Sequence, residues 1–150
     1  MAFTQTVNSD TWATEIGRLS KSPPRLLSNW KRVTPGTSGA VTSLGLLGAA
    51  MGAAAIPLSA LPFWRLDLLE FVVVAWAGFL GSLADSLLGA SFQEKYYVGV
   101  TEEITEERSS GVKQRLASGF PYINNDLVNF FASLIGVLSA YVMLRYSAFP

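Results

Sequence analysis

Residues 68–90 read LLEFVVVAWAGFLGSLADSLLGA, an apolar run with no charged side chain from Phe71 until Asp85. A helix needs about 20 consecutive, mainly apolar residues to cross the hydrocarbon core of a bilayer. The run therefore predicts a membrane-spanning helix with a carboxylate near one end. A charged carboxylate at that depth costs on the order of 2.5 to 3.5 kcal/mol, so Asp85 is a candidate functional residue.

Two other segments have the same apolar character. Residues 41–61 are rich in Leu, Ala and Gly, and Pro57 predicts a kink or an early helix end. Residues 127–144 are uncharged for eighteen positions. In the whole chain, half of the residues are hydrophobic and only 15% are charged. The sequence predicts an all-α, polytopic membrane protein. We expect a single membrane domain over residues 1–150, with about three transmembrane helices (41–61, 68–90 and 127–144), a cytoplasmic N-terminal helix and a long polar loop.

Basic residues are distributed unevenly around the predicted spans. Nine of the eleven precede the first span or follow the second, and only Arg65 and Arg145 lie at the other ends. Short loops that are rich in Lys and Arg stay in the cytoplasm. The N-terminus and the polar loop at 91–125 are therefore expected on the cytoplasmic side.

Composition excludes several classes of site. The eleven basic and eleven acidic residues cancel, so no net charge favours nucleic acid as a partner. The sequence has neither cysteine nor histidine, which excludes disulfides, thiolate nucleophiles, imidazole bases and the usual zinc sites. Any metal in this protein must be held by oxygen ligands.

Small and polar residues recur at helical spacing within the spans. The first span has a seam of glycines (Gly45, Gly48, Gly52), the second a mixed stripe (Gly78, Gly81, Ser82, Asp85, Gly89) and the third another (Asp126, Asn129, Ser133, Gly136, Ala140). Glycines at this spacing mostly serve close helix packing. The two aspartates are different, because their cost in a membrane favours a task such as holding a cation.

The N-terminal string SDTWATEIG, residues 9–17, is typical of a helix start. Ser9 or Asp10 is the predicted N-cap, and Glu15 falls within the first two turns. On a regular helix, Asp10 and Glu15 would point in different directions, so the two side chains are not expected to coordinate the same ion. Capping alone would explain one of the acids or both.

The string KRVTPGTSG, residues 31–39, joins two cations to a turn with hydroxyls and glycines before the first span. Backbone N–H groups at such a turn, together with Thr37 and Ser38, would form an anion-binding cradle. A membrane-entry turn with positive residues on the cytoplasmic side would explain the same residues. The sequence leaves both interpretations open.

Four strings in order, SDTWATEIG (9–17), KRVTPGTSG (31–39), GFLGSLADSLLGA (78–90) and NNDLVNF (124–130), resemble the phytyl-phosphate kinase family of polytopic membrane proteins. The resemblance implies a kinase that transfers the terminal phosphoryl group of a nucleoside triphosphate to phytyl phosphate or a related isoprenoid phosphate, for tocopherol-type synthesis or phytol salvage. A fainter similarity to dolichol kinases and phosphatidate cytidylyltransferases implies CTP as the preferred donor and Mg²⁺. The resemblance to phytyl-phosphate kinases also implies a bacterial plasma membrane, a thylakoid-type membrane or a plastid envelope.

The resemblance also implies roles for individual residues. Asp10, Asp85 and Asp126 are the expected catalytic residues and Mg²⁺ ligands. The expected nucleotide- and substrate-binding residues are Lys31, Arg32, Gly36, Thr37, Ser38, Gly39, Glu15, Ser86, Asn125 and Asn129. Further helices usually precede the first string in this family, so the chain resembles a C-terminal portion. A second polypeptide or a second copy is the candidate source of the missing helices.

Two other classes of function fit the same sequence. The polar stripes would suit a small transporter or channel subunit, which predicts solute flux and no nucleotide consumption. A non-catalytic membrane module would instead pack against partner helices through Gly45, Gly48 and Gly52. Metal-dependent CTP binding would separate the kinase from both.

Overall fold

Four helices and two small antiparallel sheets make up the described part of this computed structural model, residues 2–98, 104–106 and 114–147. The elements in chain order are α1 (Ala2–Gly17), β1 (Arg25–Leu26), β2 (Ala40–Val41), α2 (Ser43–Ala60), α3 (Leu68–Ser91), β3 (Lys95–Val98), β4 (Ile104–Thr105), β5 (Gln114–Ser118) and α4 (Asn125–Ser147).

Three of these helices are long and apolar enough to cross a membrane: Ser43–Ala60, Leu68–Ser91 and Asn125–Tyr146. The prediction of a helical membrane protein with three spans is therefore confirmed, with boundaries within a few residues of those expected. Pro57 lies inside α2, and the helix continues for three more residues to Ala60. On α4, Ser133, Gly136 and Ala140 are buried as their stripe predicts.

Local side-chain chemistry explains where two of the spans begin. Thr42 is the N-cap of α2, and its hydroxyl accepts a hydrogen bond from Gly45 N at 2.9 Å. Asp67 and Glu70 form a capping box at the start of α3, where Asp67 Oδ1 accepts from Glu70 N at 2.7 Å. Such caps satisfy backbone N–H groups that have no partner within the helix.

The predicted N-terminal helix is present, but its predicted start is wrong. Helix α1 begins at Ala2, so Ser9 and Asp10 lie within the helix and neither is its N-cap. The Ser9 hydroxyl donates to Ala49 O of α2 at 2.8 Å and is fully buried. Packing against α2 thus accounts for Ser9, a role that a sequence motif for capping does not reveal.

Helix α1 packs along the glycine seam of α2. A Cβ on Gly48 would lie 2.6 Å from Trp12 O, and one on Gly52 would lie 2.9 Å from Asn8 O. Asn8 Nδ2 also donates to Gly52 O at 2.7 Å. The seam is therefore covered by this chain's own helix, and those glycines are not open to a partner helix.

The other side of α1 meets the middle of α3 and α4. A Cβ on Gly78 would lie 2.7 Å from Gln5 Cβ, and one on Gly136 would lie 2.6 Å from Thr6 Oγ1. Helix α1 therefore lies within the bundle, beside the halves of the spans that include the start of α2 and the end of α3. The expectation that it belongs to the cytoplasmic side stays a prediction.

The polar connection between α3 and α4 contains a small sheet with strand order β4-β3-β5. Tyr96 pairs with Thr105 on one side and with Leu116 on the other, and a bulge separates Lys95 from Tyr96. The sequence predicts a polar loop here and no strands. Most of its acidic run, 101–103 and Glu107, lies outside the described residues, as do Arg108 and Lys113.

Candidate functional site

A cavity of about 480 Å³ lies where α2 begins, α3 ends and α4 begins. Helix α1 and the turn at residues 35–42 form two of its walls, and α3 forms a third. Its lining mixes carboxylates and hydroxyls with the apolar side chains of Leu46, Ala49 and Leu83. The cavity thus combines polar groups with an apolar wall at one end of the spans.

Asp10 of α1 and Asp85 of α3 both line this cavity. They are near enough for their charges to repel each other. Burial raises the pKa of the Asp10 carboxyl to about 6. Asp85 Oδ2 is buried and has no hydrogen-bond partner within the described residues. Two carboxylates that face one cavity in this way repel each other, and a bound cation would remove that repulsion.

Asp126 does not join this pair. Helix α4 begins at Asn125, and Asn125 and Asp126 are both exposed, but only Asn125 is among the lining residues described. Successive helical residues differ by about 100° in direction, so the side chains of Asn125 and Asp126 point to different sides of α4. Among the described residues, no group of three acidic side chains is close enough to hold a metal ion. The expected three-aspartate cluster is therefore not assembled there.

The glycine-containing turn does lie at the cavity, as the anion-cradle interpretation requires. Gly36, Thr37, Ser38 and Gly39 all contribute to the lining. Gly39 has a φ of 74°, and a Cβ there would collide with Ser86 O and with Ala90 of α3. Glycine is thus needed because the turn rests directly on the last turns of α3.

The turn is held by a polar cluster that no sequence motif indicates. Ser38 N donates to Glu106 Oε1 at 2.9 Å, Gln93 Nε2 donates to Glu106 Oε2 at 2.9 Å, and Lys95 Nζ donates to Ser38 O at 3.2 Å. Burial lowers the pKa of Lys95, and the charge of Glu106 partly offsets that effect. Glu106 also lines the cavity. Its place in an acidic run gave no signal that it would reach Ser38.

The cations at the cavity are not the expected ones. Lys31 and Arg32 are exposed and do not belong to its described lining, which instead includes Arg18 and Lys21. Glu15 is exposed and pairs with Arg18, with 3.1 Å between Oε1 and Nη1. Arg18 and Lys21 lie within four residues of the end of α1. They belong to none of the sequence strings that indicated the site, so the sequence did not show that they would line it.

Of the two remaining candidate residues, Ser86 lies at the cavity and Asn129 does not. Ser86 lines the cavity, one residue after Asp85, and the buried Ser82 lies a turn earlier on the same wall. Asn129 is half-buried and outside the described lining. The cavity therefore brings together three acids (Asp10, Asp85 and Glu106), two cations and several hydroxyl groups. Such a set can neutralise a phosphate-bearing ligand and a divalent cation at once.

The fold and this cavity define a class of polytopic helical membrane protein with an acidic site at one end of its spans. The chain belongs to the family described as integral membrane protein DUF92, whose model matches residues 1–137.

Three curated relatives show how far the similarity extends. Protein PGR of Arabidopsis thaliana is 35% identical, over 85% of this chain and 48% of its own length. An uncharacterized membrane protein of Methanocaldococcus jannaschii is 39% identical over 58% of this chain and 36% of its own. Protein VTE6, chloroplastic, of Arabidopsis thaliana is 26% identical over 92% and 35%. The chain thus spans about half or less of these relatives, and no solved structure matches it.

Proposed function

We propose that this chain supplies the catalytic cavity of a membrane prenyl-phosphate kinase. The reaction transfers the terminal phosphoryl group of a nucleoside triphosphate, with CTP preferred, to phytyl phosphate or a related isoprenoid phosphate. The observation that carries the proposal is the convergence of Asp10 and Asp85 from separate helices on one cavity. The resemblance of four sequence strings to phytyl-phosphate kinases supports it, as does the similarity to Protein VTE6, chloroplastic.

Phosphoryl transfer requires positioning and charge neutralisation more than covalent work by the protein. One oxygen of the prenyl phosphate attacks the terminal phosphorus of the nucleotide, and the bond from that phosphorus to the bridging oxygen breaks. The products are the prenyl diphosphate and the nucleoside diphosphate. The protein must hold two anionic reactants in line, although they repel each other.

Asp10 and Asp85 fit a Mg²⁺ site, because Mg²⁺ is commonly held by one or two carboxylates, water and substrate phosphates. The Oδ2 of Asp85, which has no hydrogen-bond partner within the described residues, supports this assignment. Bound Mg²⁺ would neutralise charge on the nucleotide phosphates and orient them. No third carboxylate is required for such a site.

The chain's other residues would bind the two phosphates and the lipid tail. Arg18 and Lys21 offer positive charge, and Thr37 and Ser86 offer hydroxyl groups. Leu46 and Leu83 extend the lining toward the apolar helices. A site at the ends of spans meets a lipid whose chain lies in the bilayer and a nucleotide that arrives from water. The location therefore solves the problem of joining a membrane-bound and a soluble reactant.

The proposal is tested by nucleotide-dependent labelling of lipid. Membranes containing this chain, alone and with the N-terminal half of a longer relative, receive phytyl phosphate and terminally labelled CTP, ATP or UTP. We expect label in the lipid diphosphate, strongest with CTP. Asp85→Asn should lower the rate by at least about 100-fold, as expected when charge stabilisation of a transition state is removed.

Asp67→Asn is the matched control, because it makes the same chemical change at the opposite end of α3. Asparagine is as good an N-cap as aspartate, so the helix start is preserved. This variant should keep the wild-type rate. Absence of lipid label with every nucleotide, both alone and with the added half, would refute the kinase function. Equal losses in both variants would remove Asp85 from the mechanism.

Transport of a small polar solute is the second candidate function. Gln5 of α1 and Ser133 of α4 are fully buried, and their side-chain polar atoms have no hydrogen-bond partner within the described residues. Polar groups that face the interior of a membrane bundle often line a pathway. This candidate predicts solute flux in liposomes without nucleotide consumption, and Gln5→Leu should abolish that flux.

A further inference from the structure

The hairpin at residues 24–33, here called the basic hairpin, contributes only Pro24 to the described lining of the cavity. It carries Arg25, Lys31 and Arg32, all exposed, and Trp30, whose side chain is 59% exposed. The whole sequence from residue 16 to residue 66 contains no acidic side chain. In the part of the chain that the structure describes, neither Lys31 nor Arg32 forms an ion pair.

Two cations of the basic hairpin lie opposite each other in its backbone pairing. Arg25 and Arg32 are partners in an antiparallel bridge, and like charges directly opposite each other in a β pair are destabilising. An anion between or beside them would remove that repulsion. The arrangement therefore indicates a surface that binds negative charge.

Trp30 is fixed in a conformation that displays it. Its φ is 57°, a left-handed value that favours glycine over a bulky aromatic residue. Hydrogen bonds from Trp30 N to Leu26 O, at 2.9 Å, and from Arg25 Nη1 to Trp30 O, at 3.1 Å, hold the backbone in place. A large apolar side chain is thus kept exposed at the tip of a charged loop, which marks an interaction surface.

The basic hairpin lies at the level where α3 ends. Leu27 N donates to Gly39 O at 3.2 Å, and Gly39 is in direct contact with Ser86 and Ala90 of α3. Helix α3 ends at Ser91, and its outward-facing Leu87 is 47% exposed. The hairpin is therefore beside the end of a span, at the depth of the lipid head groups. Tryptophan and basic residues are the side chains that favour this depth.

We propose that the basic hairpin binds the anionic phospholipid head groups of the surrounding membrane, with Trp30 inserted at the interface. Arg25, Lys31 and Arg32 contact the phosphates, and the indole packs among the glycerol groups and upper acyl chains. This assignment is independent of the proposed kinase function. It gives Lys31 and Arg32, which lie outside the described cavity lining, a partner of their own.

Tryptophan fluorescence in lipid nanodiscs tests the proposal. The difference between wild type and Trp30→Phe isolates the signal of Trp30, and the conservative change is made at an exposed position. In phosphatidylglycerol discs, we expect this signal to be at least about threefold less accessible to acrylamide than in phosphatidylcholine discs, because charge draws the hairpin to the surface. About 0.5 M salt should remove most of the difference.

Trp64 is the matched control. It is 58% exposed and lies in the link between α2 and α3 with a single adjacent cation, Arg65. Both faces of a nanodisc have the same lipid composition, so Trp64 meets the same anionic lipid as Trp30. Because only one cation is adjacent to Trp64, the signal isolated with Trp64→Phe should not depend on anionic lipid. A variant carrying Arg25→Gln, Lys31→Gln and Arg32→Gln should lose the lipid dependence of Trp30 while eluting as the same monodisperse species.

Two outcomes would overturn the proposal. One is equal acrylamide accessibility of Trp30 in both lipids. The other is protection of Trp30 by CTP in phosphatidylcholine discs to the same extent as by phosphatidylglycerol, which would assign the basic hairpin to nucleotide binding.

Discussion

Asp10 and Asp85 reach the same cavity because α1 and α3 run side by side in the same direction. Thr6 contacts Gly81 where the two helices cross closely, and no side chain larger than hydrogen fits at Gly81. Asp10 and Asp85 each follow that contact by four residues, which is about one helical turn. The glycine contact thus sets the distance between the helices, and the equal spacing brings the two acids to the same level.

The Asp10 carboxyl should make stability depend on pH. Its pKa rises from 3.8 to about 6 on folding, so the folded protein holds this proton more tightly than the unfolded chain. The resulting stabilisation is complete below about pH 4 and is lost as the pH rises through 6. Asp10→Asn should therefore be more stable than wild type at about pH 7.5, by on the order of 1 to 2 kcal/mol after solvent screening. Thermal unfolding at about pH 4.5 and about pH 7.5 measures the difference.

A divalent cation extends this test. Millimolar Mg²⁺ should raise the unfolding temperature of wild type at about pH 7.5 and leave Asp10→Asn unchanged, because only the wild type then presents both carboxylates. Parallel pH profiles for the two proteins would contradict the burial of Asp10. An equal response of both to Mg²⁺ would remove Asp10 from the metal site.

Asp126→Asn distinguishes a site built on two aspartates from one built on three. Asp126 is exposed in the first turn of α4, where a negative charge is favoured by the helix dipole alone. The substitution should change the rate of lipid phosphorylation by less than about threefold, the scale of losing such a dipole interaction. A loss comparable to that of Asp85→Asn, measured in the same labelling assay, would restore Asp126 to the site.

The sequence indicated some residues of the site well and others not at all. Asp85 could be predicted because an acid within an apolar span is costly whatever surrounds it. Asp10 resembled a helix N-cap because of the residues that follow it. That interpretation is wrong because its helix begins eight residues earlier, at Ala2. Glu106 and Lys21 gave no signal, because contacts between distant segments bring them to the cavity. Energetic cost is readable from a sequence, whereas long-range proximity is not.

At the level of elements, the packing of α1 on α2 should be sensitive to any added side chain in the seam. A Cβ on Gly48 would lie 2.6 Å from the backbone oxygen of Trp12 and 2.9 Å from Ile16 Cβ. Backbone cannot yield as a flexible side chain can, so Gly48→Val should lower the free energy of unfolding by roughly 1 to 3 kcal/mol. Thermal unfolding of the purified protein in detergent, followed by size-exclusion chromatography, measures the loss.

Ala50→Val is the matched control for this substitution. Ala50 lies on the exposed face of the same helix, two residues away, and a change from alanine to valine adds bulk there without a neighbour to displace. Its effect should stay within about 0.5 kcal/mol. Similar losses in both variants would mean that α2 tolerates valine poorly for reasons unrelated to α1.

The spans were predictable as elements and the strands were not. Apolar length alone identifies α2, α3 and α4, and the boundaries follow from charged and capping residues such as Asp67. Strands β3 and β5 have only four and five residues, too few for alternation to stand out from chance. Their pairing also depends on Gly119, whose φ of 80° lets the chain approach Gln93 closely.

For the whole molecule, three crossings of the bilayer place the cavity and the polar loop on one side. The sequence contains no cysteine, so a single introduced thiol reports its own location through a membrane-impermeant maleimide. Ser22→Cys and Ser118→Cys lie at exposed positions before α2 and after α3, and Phe63→Cys lies between these helices at a side chain that is 83% exposed. Two crossings separate the first two sites and one crossing separates either from Phe63.

Ser22→Cys and Ser118→Cys should therefore react from the same side and Phe63→Cys from the opposite side. The excess of basic residues around the first two sites further predicts that the shared side is the cytoplasm, so inverted vesicles should label them and intact cells should not. Labelling of all three from one side would show that α2 and α3 do not each cross the membrane. A shared side that faces outward would leave the fold intact but place the acidic cavity away from cytoplasmic nucleotide, and the proposed kinase reaction would then have no donor.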